Sequence, residues 1–155
     1  MEQAGKAANE MELVFDSRSE NEGFARVAVA AFMTQMNPVL EEVSDVKTAV
    51  SEAVTNAIIH GYGEEAGKIR VRCRIQGREL YIEVADRGAG IEDIDRAMQP
   101  LFTTRPELDR SGMGFAFMEA FMDELEVASA PGEGTTVNMK KTVGEGQNTW
   151  TTQSL

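Results

Sequence analysis

The sequence predicts an α+β fold: a two-layer α/β sandwich whose mixed, mainly antiparallel sheet is covered on one face by helices. Three observations carry this. Apolar residues recur at helical spacing between residues 20 and 60. The period then switches to strict alternation over 68–86. A last helical run is followed by two short alternating segments around the turn Pro131–Gly134. The chain has 155 residues, 42% of them hydrophobic, enough for one core and one domain.

Taken in order, MELVFDS (11–17) has the short apolar character of a strand. Ser17 or Ser19 can cap a helix with Glu20 and Glu22 in its first turn. That helix is expected to run to about Met36, burying Phe24, Val27, Ala28, Ala31 and Phe32, until Asn37 and Pro38 end it. Ser44 opens a second helix with an apolar arc of Val46, Val50, Ala53, Val54, Ala57 and Ile58; Gly61 and Gly63 stop it. Ile69, Val71, Cys73 and Ile75 alternate with charged residues, as do Leu80, Ile82 and Val84, and Gly77 between them predicts an antiparallel hairpin. IEDIDRAMQ (91–99) reads as a short helix and 99–112 as a long loop. The helix MGFAFMEAFMDEL and the strands LEVASA and TTVNMKK complete the fold. The expected organisation is a flexible segment at 1–10, a folded domain at 11–141 and a flexible tail at 142–155.

Composition narrows the function. Fifteen basic against 26 acidic residues give a formal charge of −11, which repels phosphate backbones and anionic lipid, so neither nucleic acid nor membrane is an expected partner. No apolar run is long enough to span a bilayer and the N-terminus lacks a signal-peptide pattern, so a cytoplasmic location is expected. With one cysteine, Cys73, and one histidine, His60, a disulfide within the chain is excluded and a Cys- or His-based metal cage is not expected.

Three features carry chemistry. In SEAVTNAIIHGYG (51–63), Glu52, Asn56 and His60 stand four residues apart on one strip, since about 100° per residue leaves such groups roughly 40° apart. That strip is either a solvated helix face or one wall of a site; His60, near the helix end, reads as a capping or packing residue. In VADRGAGI (84–91), Asp86 ends an apolar strand and Gly88 and Gly90 let the backbone approach a ligand, although Asp-Arg-Gly is also an ordinary turn. In RSGMGF (110–115), Gly112 and Gly114 open a helix, where backbone N–H groups favour anions. Neither a Walker loop nor a Rossmann fingerprint is present.

The ordered set is more specific than its parts. E-x-x-x-N on a helix, D-x-G-x-G after a strand, G-x-G at a helix start and GTT (134–136) in a terminal strand resemble the ATP-binding domain of DNA gyrase, the Hsp90 chaperones, histidine kinases and MutL, the GHKL or Bergerat fold, over about residues 11–141. SEAVTNAIIHGY together with QPLFTTRPELDRSGMGF is similar to the anti-sigma F factors of spore-forming bacteria, serine kinases of that superfamily.

The resemblance implies ATP and Mg²⁺ as cofactors. Asn56 would bind Mg²⁺, for which an amide oxygen is a suitably hard ligand. Glu52 would be the general base for an incoming serine hydroxyl. Asp86 would accept a hydrogen bond from the adenine amino group, with Gly88 and Gly90 shaping the loop and Thr135 supporting the base. Gly112 and Gly114 would contact phosphates, and Arg110 would bring positive charge from a lid over 99–112, with Arg105 as the competing candidate. The implied partners are a sigma factor, sigma F, held away from RNA polymerase, and an anti-anti-sigma factor phosphorylated on serine. A homodimer is also implied. Arg26, on the first helix, is either a contact to such partners or an ordinary solvated charge. A related anti-sigma kinase for another sigma factor and an ATP-holding module without transfer remain the alternatives. A histidine kinase would need a dimerisation helix pair and a second histidine, which this chain lacks.

Overall fold

The computed structural model describes residues 8–99 and 114–144. Five strands form a sheet in the order β1-β2-β3-β5-β4: β1 (Ala8–Asp16), β2 (Lys68–Gln76), β3 (Glu79–Asp86), β4 (Glu124–Ala130) and β5 (Gly134–Thr142). Every pairing among them is antiparallel. The fold class is the α+β sandwich expected, with no parallel pair among the described strands. Gly77, at φ +61°, makes the tight β2–β3 turn, and Gln76 pairs with Glu79 across it.

One face of the sheet is apolar because the strands alternate. Ile69, Val71, Cys73 and Ile75 of β2 and Leu80, Ile82 and Val84 of β3 are buried, while Arg70, Arg72 and Glu83 face outward and pair across strands at 3.5–3.6 Å. Exposed pairs of this kind contribute little to stability. Three helices cover the inner face: α1 (Glu20–Met33), α2 (Leu40–Asn56) and α4 (Gly114–Phe121), and α3 (Ile94–Ala97) is a single turn in the connection after β3. Val46, Ala49, Val50, Ala53 and Val54 form the buried stripe of α2, which Ala57 continues just beyond its end, close to the arc the periodicity predicts. Helix α2 starts at Leu40, earlier than Ser44, and Glu42 reaches back to accept the Val39 N–H at 2.9 Å.

Helix α1 differs from expectation. Its buried residues are Ala25, Val29 and Met33, whereas Phe24 and Val27, expected inside, are 55% and 59% exposed. FARVAVAAFM is apolar around most of its circumference, so spacing offers two stripes, and packing against α2 selects that of Ala25, Val29 and Met33. The helix ends at Met33, followed by a 3₁₀ turn over Thr34–Met36 and by Asn37 in the left-handed conformation, φ 54°.

The ends of the fold are also shifted. Strand β1 begins at Ala8, within the segment expected to be flexible, and Thr142 closes β5. Val143 is buried and donates its N–H to the Arg78 carbonyl at 2.8 Å, so 142–144 belong to the fold rather than to a tail. Helix α4 ends at Phe121, earlier than its sequence pattern suggests, because β4 already begins at Glu124.

Candidate functional site

Helix α2 buries its stripe against the sheet and α4, which leaves the strip with Glu52 and Asn56 facing the start of α4. The two side chains meet at one point. A Cβ on Gly114 would lie 3.1 Å from Asn56 Nδ2 and 3.2 Å from Glu52 Oε1. Gly114 is itself buried, so the first turn of α4 is seated on this pair. The E-x-x-x-N spacing therefore does bring a carboxylate and an amide to one place, beside backbone N–H groups at a helix start.

Beyond Asn56 the helix widens into a π-helical turn, Ala57–Tyr62, closed by the Gly63 N–H donating to the Ile58 carbonyl at 2.9 Å. Such insertions are frequent at functional sites. Here the turn brings Gly61 against the end of β3. A Cβ on Gly61 would stand 2.9 Å from Asp86 Oδ1, and one on Gly88 would meet the Gly61 carbonyl oxygen at 2.1 Å, so helix and loop touch backbone to backbone. The Ala89 N–H donates to the same Gly61 carbonyl at 2.7 Å. Tyr62 ties the corner further: its hydroxyl donates to the Lys68 carbonyl at 2.6 Å and accepts the Arg87 N–H at 2.8 Å.

Asp86 is 9% exposed, the only charged or polar side chain among the described residues that counts as buried. Burial pushes its carboxyl above the ordinary carboxylate range, against the opposing pull of N–H groups from Gly88 and Thr135. The Gly88 N–H donates to Oδ1 at 2.8 Å. Across the β3–β5 ladder Asp86 stands opposite Thr135, whose hydroxyl lies 2.8 Å from Ser129 Oγ on β4.

These elements enclose a cavity of about 400 Å³, within the ordinary size of a small-ligand site. Asn56 and Gly114 line one part and Asp86 and Thr135 another; His60, Gly90 and Ile91 also contribute, and Ala53, Val84 and Val137 give it an apolar floor. A flat apolar ring with a polar edge fits such a lining, and the Asp86 side chain offers it a polar group. Among the described residues no group of three or more His, Cys, Asp or Glu side chains could cage a metal. The side-chain amide oxygen of Asn56 is a hard ligand of the kind Mg²⁺ takes, an ion that commonly fills the rest of its shell with ligand oxygens and water.

The structure thus gathers Asn56, Asp86, Gly90, Gly114 and Thr135 at one cavity, with Glu52 beside Asn56 and Gly88 behind Asp86. Arg110, Arg105 and Gly112 lie outside the described residues. Arg26 is not at the cavity: it is half-buried on α1 and pairs with Glu22 at 3.5 Å. Sequence reasoning set His60 aside as structural, yet it lines the cavity. It also missed Gly61, Tyr62 and Ser129. Gly61 reads as a helix stop, and only the register of the π turn against β3 reveals its contact. Ser129 carries no sequence signal at all.

Comparison with known proteins agrees with this geometry. The family model described as the histidine kinase-like ATPase domain matches residues 15–141. The anti-sigma F factor of Thermoanaerobacter sp. (strain X514) is 60% identical over 136 residues, covering 88% of this chain and 95% of that protein. The anti-sigma F factor of Clostridium kluyveri is 59% identical over 133 residues, covering 86% and 94%. Among solved structures, the RsbU and RsbW domains of Rv1364c from Mycobacterium tuberculosis superpose with a TM-score of 0.63 at 20% identity, covering 87% of this chain and 32% of that one. The catalytic domain of the histidine kinase ThkA gives a TM-score of 0.53 at 18% identity, covering 87% and 96%. At such identities the structural likeness speaks to the fold alone.

Proposed function

Because this chain belongs to the histidine kinase-like ATPases and, within them, to the anti-sigma F factor family, we propose that it restrains a sporulation sigma factor, sigma F, and uses Mg-ATP to phosphorylate a serine of the anti-anti-sigma factor, which is thereby released and inactivated. The observation that carries the reading is the meeting of Glu52 and Asn56 at Gly114, on the rim of a cavity that also contains Asp86. A base belongs beside the phosphate end of such a site and a buried acceptor at the base end.

In this reading Asp86 accepts a hydrogen bond from the adenine amino group, and Gly90 and Thr135 line the same end of the cavity. Gly88 holds the loop by its contact with Gly61. Asn56 would hold Mg²⁺, which would supply positive charge to offset that of the phosphates. Gly114, with Gly112, offers backbone N–H groups to them, and Arg110 adds positive charge. Glu52 takes the proton of the serine hydroxyl as its oxygen bonds to the γ-phosphorus and the bond to the β-phosphate bridging oxygen breaks, leaving ADP.

Partner binding is assigned to helix α1. Phe24 and Val27 are exposed apolar residues there, and Arg26 lies between them in sequence. We place sigma F and its antagonist on the exposed surface of α1, Phe24 and Val27 on one side and Arg26 round the helix from them, with the chain acting in the cytoplasm as a homodimer. No helix among the described residues is long and apolar enough to cross a membrane.

Incubation with γ-labelled ATP and the anti-anti-sigma factor tests the kinase arm: labelled phosphoserine is expected on the antagonist. ATP binding without phosphoserine would leave an ATP-holding module. Co-purification of the sigma factor with the tagged chain tests the inhibitory arm.

A further inference from the structure

Strand β5 breaks its own alternation at one position. Val137 and Met139 face inward and are buried, and the next residue in that register is Lys141, opposite the fully buried Leu80. The Lys141 side chain is only 12% exposed, and a lysine is rarely so covered unless it is paired. Two groups meet it. Its ammonium donates to the Phe121 carbonyl at 2.7 Å and lies 3.6 Å from Asp45 Oδ2. Phe121 is the last residue of α4, where carbonyls lack partners within the helix and carry the negative end of its dipole. Asp45 belongs to α2.

Helices α2 and α4 run in opposite directions and are held together at two points. At one, Lys141 bridges Asp45 and Phe121; at the other, Gly114 is seated on Glu52 and Asn56. Between them α4 buries Phe115 and Met118, and such apolar contacts carry no direction. The bond from Lys141 does. The turn after α4 is tied separately: the Asp123 N–H donates to the Lys140 carbonyl at 2.8 Å, and its carboxylate accepts the Thr142 N–H at 2.7 Å. Strand β4 therefore keeps its place without Lys141. Helix α4 has eight residues, about 12 Å of length, so a tilt of about 5° at Phe121 moves Gly114 by about 1 Å.

We propose that Lys141, which does not line the cavity, is a positioning residue for its phosphate end: by capping α4 and tying it to Asp45, it sets where the first turn of α4 stands beside Asn56. The inference rests on the nucleotide reading above and adds to it a residue at the far end of the helix. The base end, at Asp86 and Thr135, is built on other elements and does not depend on this bridge.

The test is equilibrium binding of ATP and of adenosine, which lacks the phosphates, to the full chain and its variants, with a thermal scan of each. Lys141→Met is expected to weaken ATP about tenfold, the scale of one hydrogen bond lost at the phosphates, and to leave adenosine unchanged. Lys141→Arg, which keeps a cation at the helix end, retains the wild-type ratio. A merely structural lysine lowers the melting temperature without moving that ratio, and an unchanged ratio, or an equal loss of both ligands, overturns the proposal. Should Lys141→Met fail to fold, Lys141→Gln, a neutral side chain of shorter reach, reads the same ratio. A wild-type chain that binds neither ligand overturns the nucleotide reading and this inference with it. Wild-type binding of both, with the ratio insensitive to Lys141, overturns this inference alone.

Discussion

Gly114 opens helix α4 so close to Glu52 that a methyl group on it would stand 3.2 Å from the carboxylate oxygen Oε1. The contact falls on the ends of flexible side chains rather than on backbone, so Gly114→Ala is tolerable to the fold but displaces both Glu52 and Asn56. Phosphoryl transfer should fall by about 10²-fold, the usual cost of small misplacement. The melting temperature should change little. Single-turnover kinetics with labelled ATP, alongside a thermal scan, separate the two effects; unchanged transfer would remove this contact from the mechanism.

Glu52→Gln keeps the size of the side chain and abolishes its basicity. ATP affinity should stay close to wild type while phosphoserine formation drops by at least about 10²-fold. Asn56→Ala should show the opposite split, with the Mg²⁺-dependent part of nucleotide binding lost. Titration of each variant with and without Mg²⁺ reads both.

Gly61→Ala places a methyl group 2.9 Å from Asp86 Oδ1. The carboxylate has little room to retreat because the Gly88 N–H holds it at 2.8 Å. Nucleotide affinity should fall more than tenfold with the secondary structure intact, as measured by calorimetry and far-ultraviolet circular dichroism. Full affinity would show that Asp86 is not fixed by this packing.

Asp86 gives a pH signature. Its folded-state carboxyl titrates above the ordinary value of 3.8 because burial disfavours the charged form. The unfolded chain therefore releases this proton first, and the stability that Asp86 contributes is complete below 3.8 and is lost as pH rises through the raised folded value. Asp86→Asn removes this loss. Relative to wild type, the variant without nucleotide should gain stability between acid and neutral pH and show a flatter profile across that window. Urea midpoints at a series of pH values check it, and parallel profiles would contradict it.

The two apolar stripes of α1 should separate in mutagenesis. Met33 is fully buried, and Met33→Ala should cost about 2–5 kcal/mol. Val27 is 59% exposed, and Val27→Ser should change stability by no more than about 0.5 kcal/mol while weakening partner binding. Arg26→Ala should likewise weaken partner binding and leave ATP affinity intact. Urea denaturation and pull-down of the sigma factor measure the two kinds of effect, and a stability loss at Val27 equal to that at Met33 would reverse the assignment of faces.

Much of this molecule was legible before its structure. Strands β2 and β3 declared themselves because a sheet with one wet face forces period-two alternation. The α2 stripe declared itself because a helix on a sheet must hide one side. Glu52, Asn56, Asp86, Gly90 and Gly114 could be singled out because each sits at a boundary that sequence marks, a helix strip, a strand end or a glycine turn, whereas Thr135 was implied only by the family resemblance. Arg105 and Arg110 stay at the level of sequence, since they fall outside the described residues.

The sequence by itself determined the alternation, the helix on which Glu52 and Asn56 share a strip, and the order of the motifs, because these depend on residues close together in the chain. Tertiary structure alone decided which face of α1 is buried, that the π turn sets Gly61 against Asp86, and that Ser129 holds the Thr135 hydroxyl. Each of those is a contact between distant segments, and its geometry depends on how helices seat on the sheet and how strands register. No local period records that information.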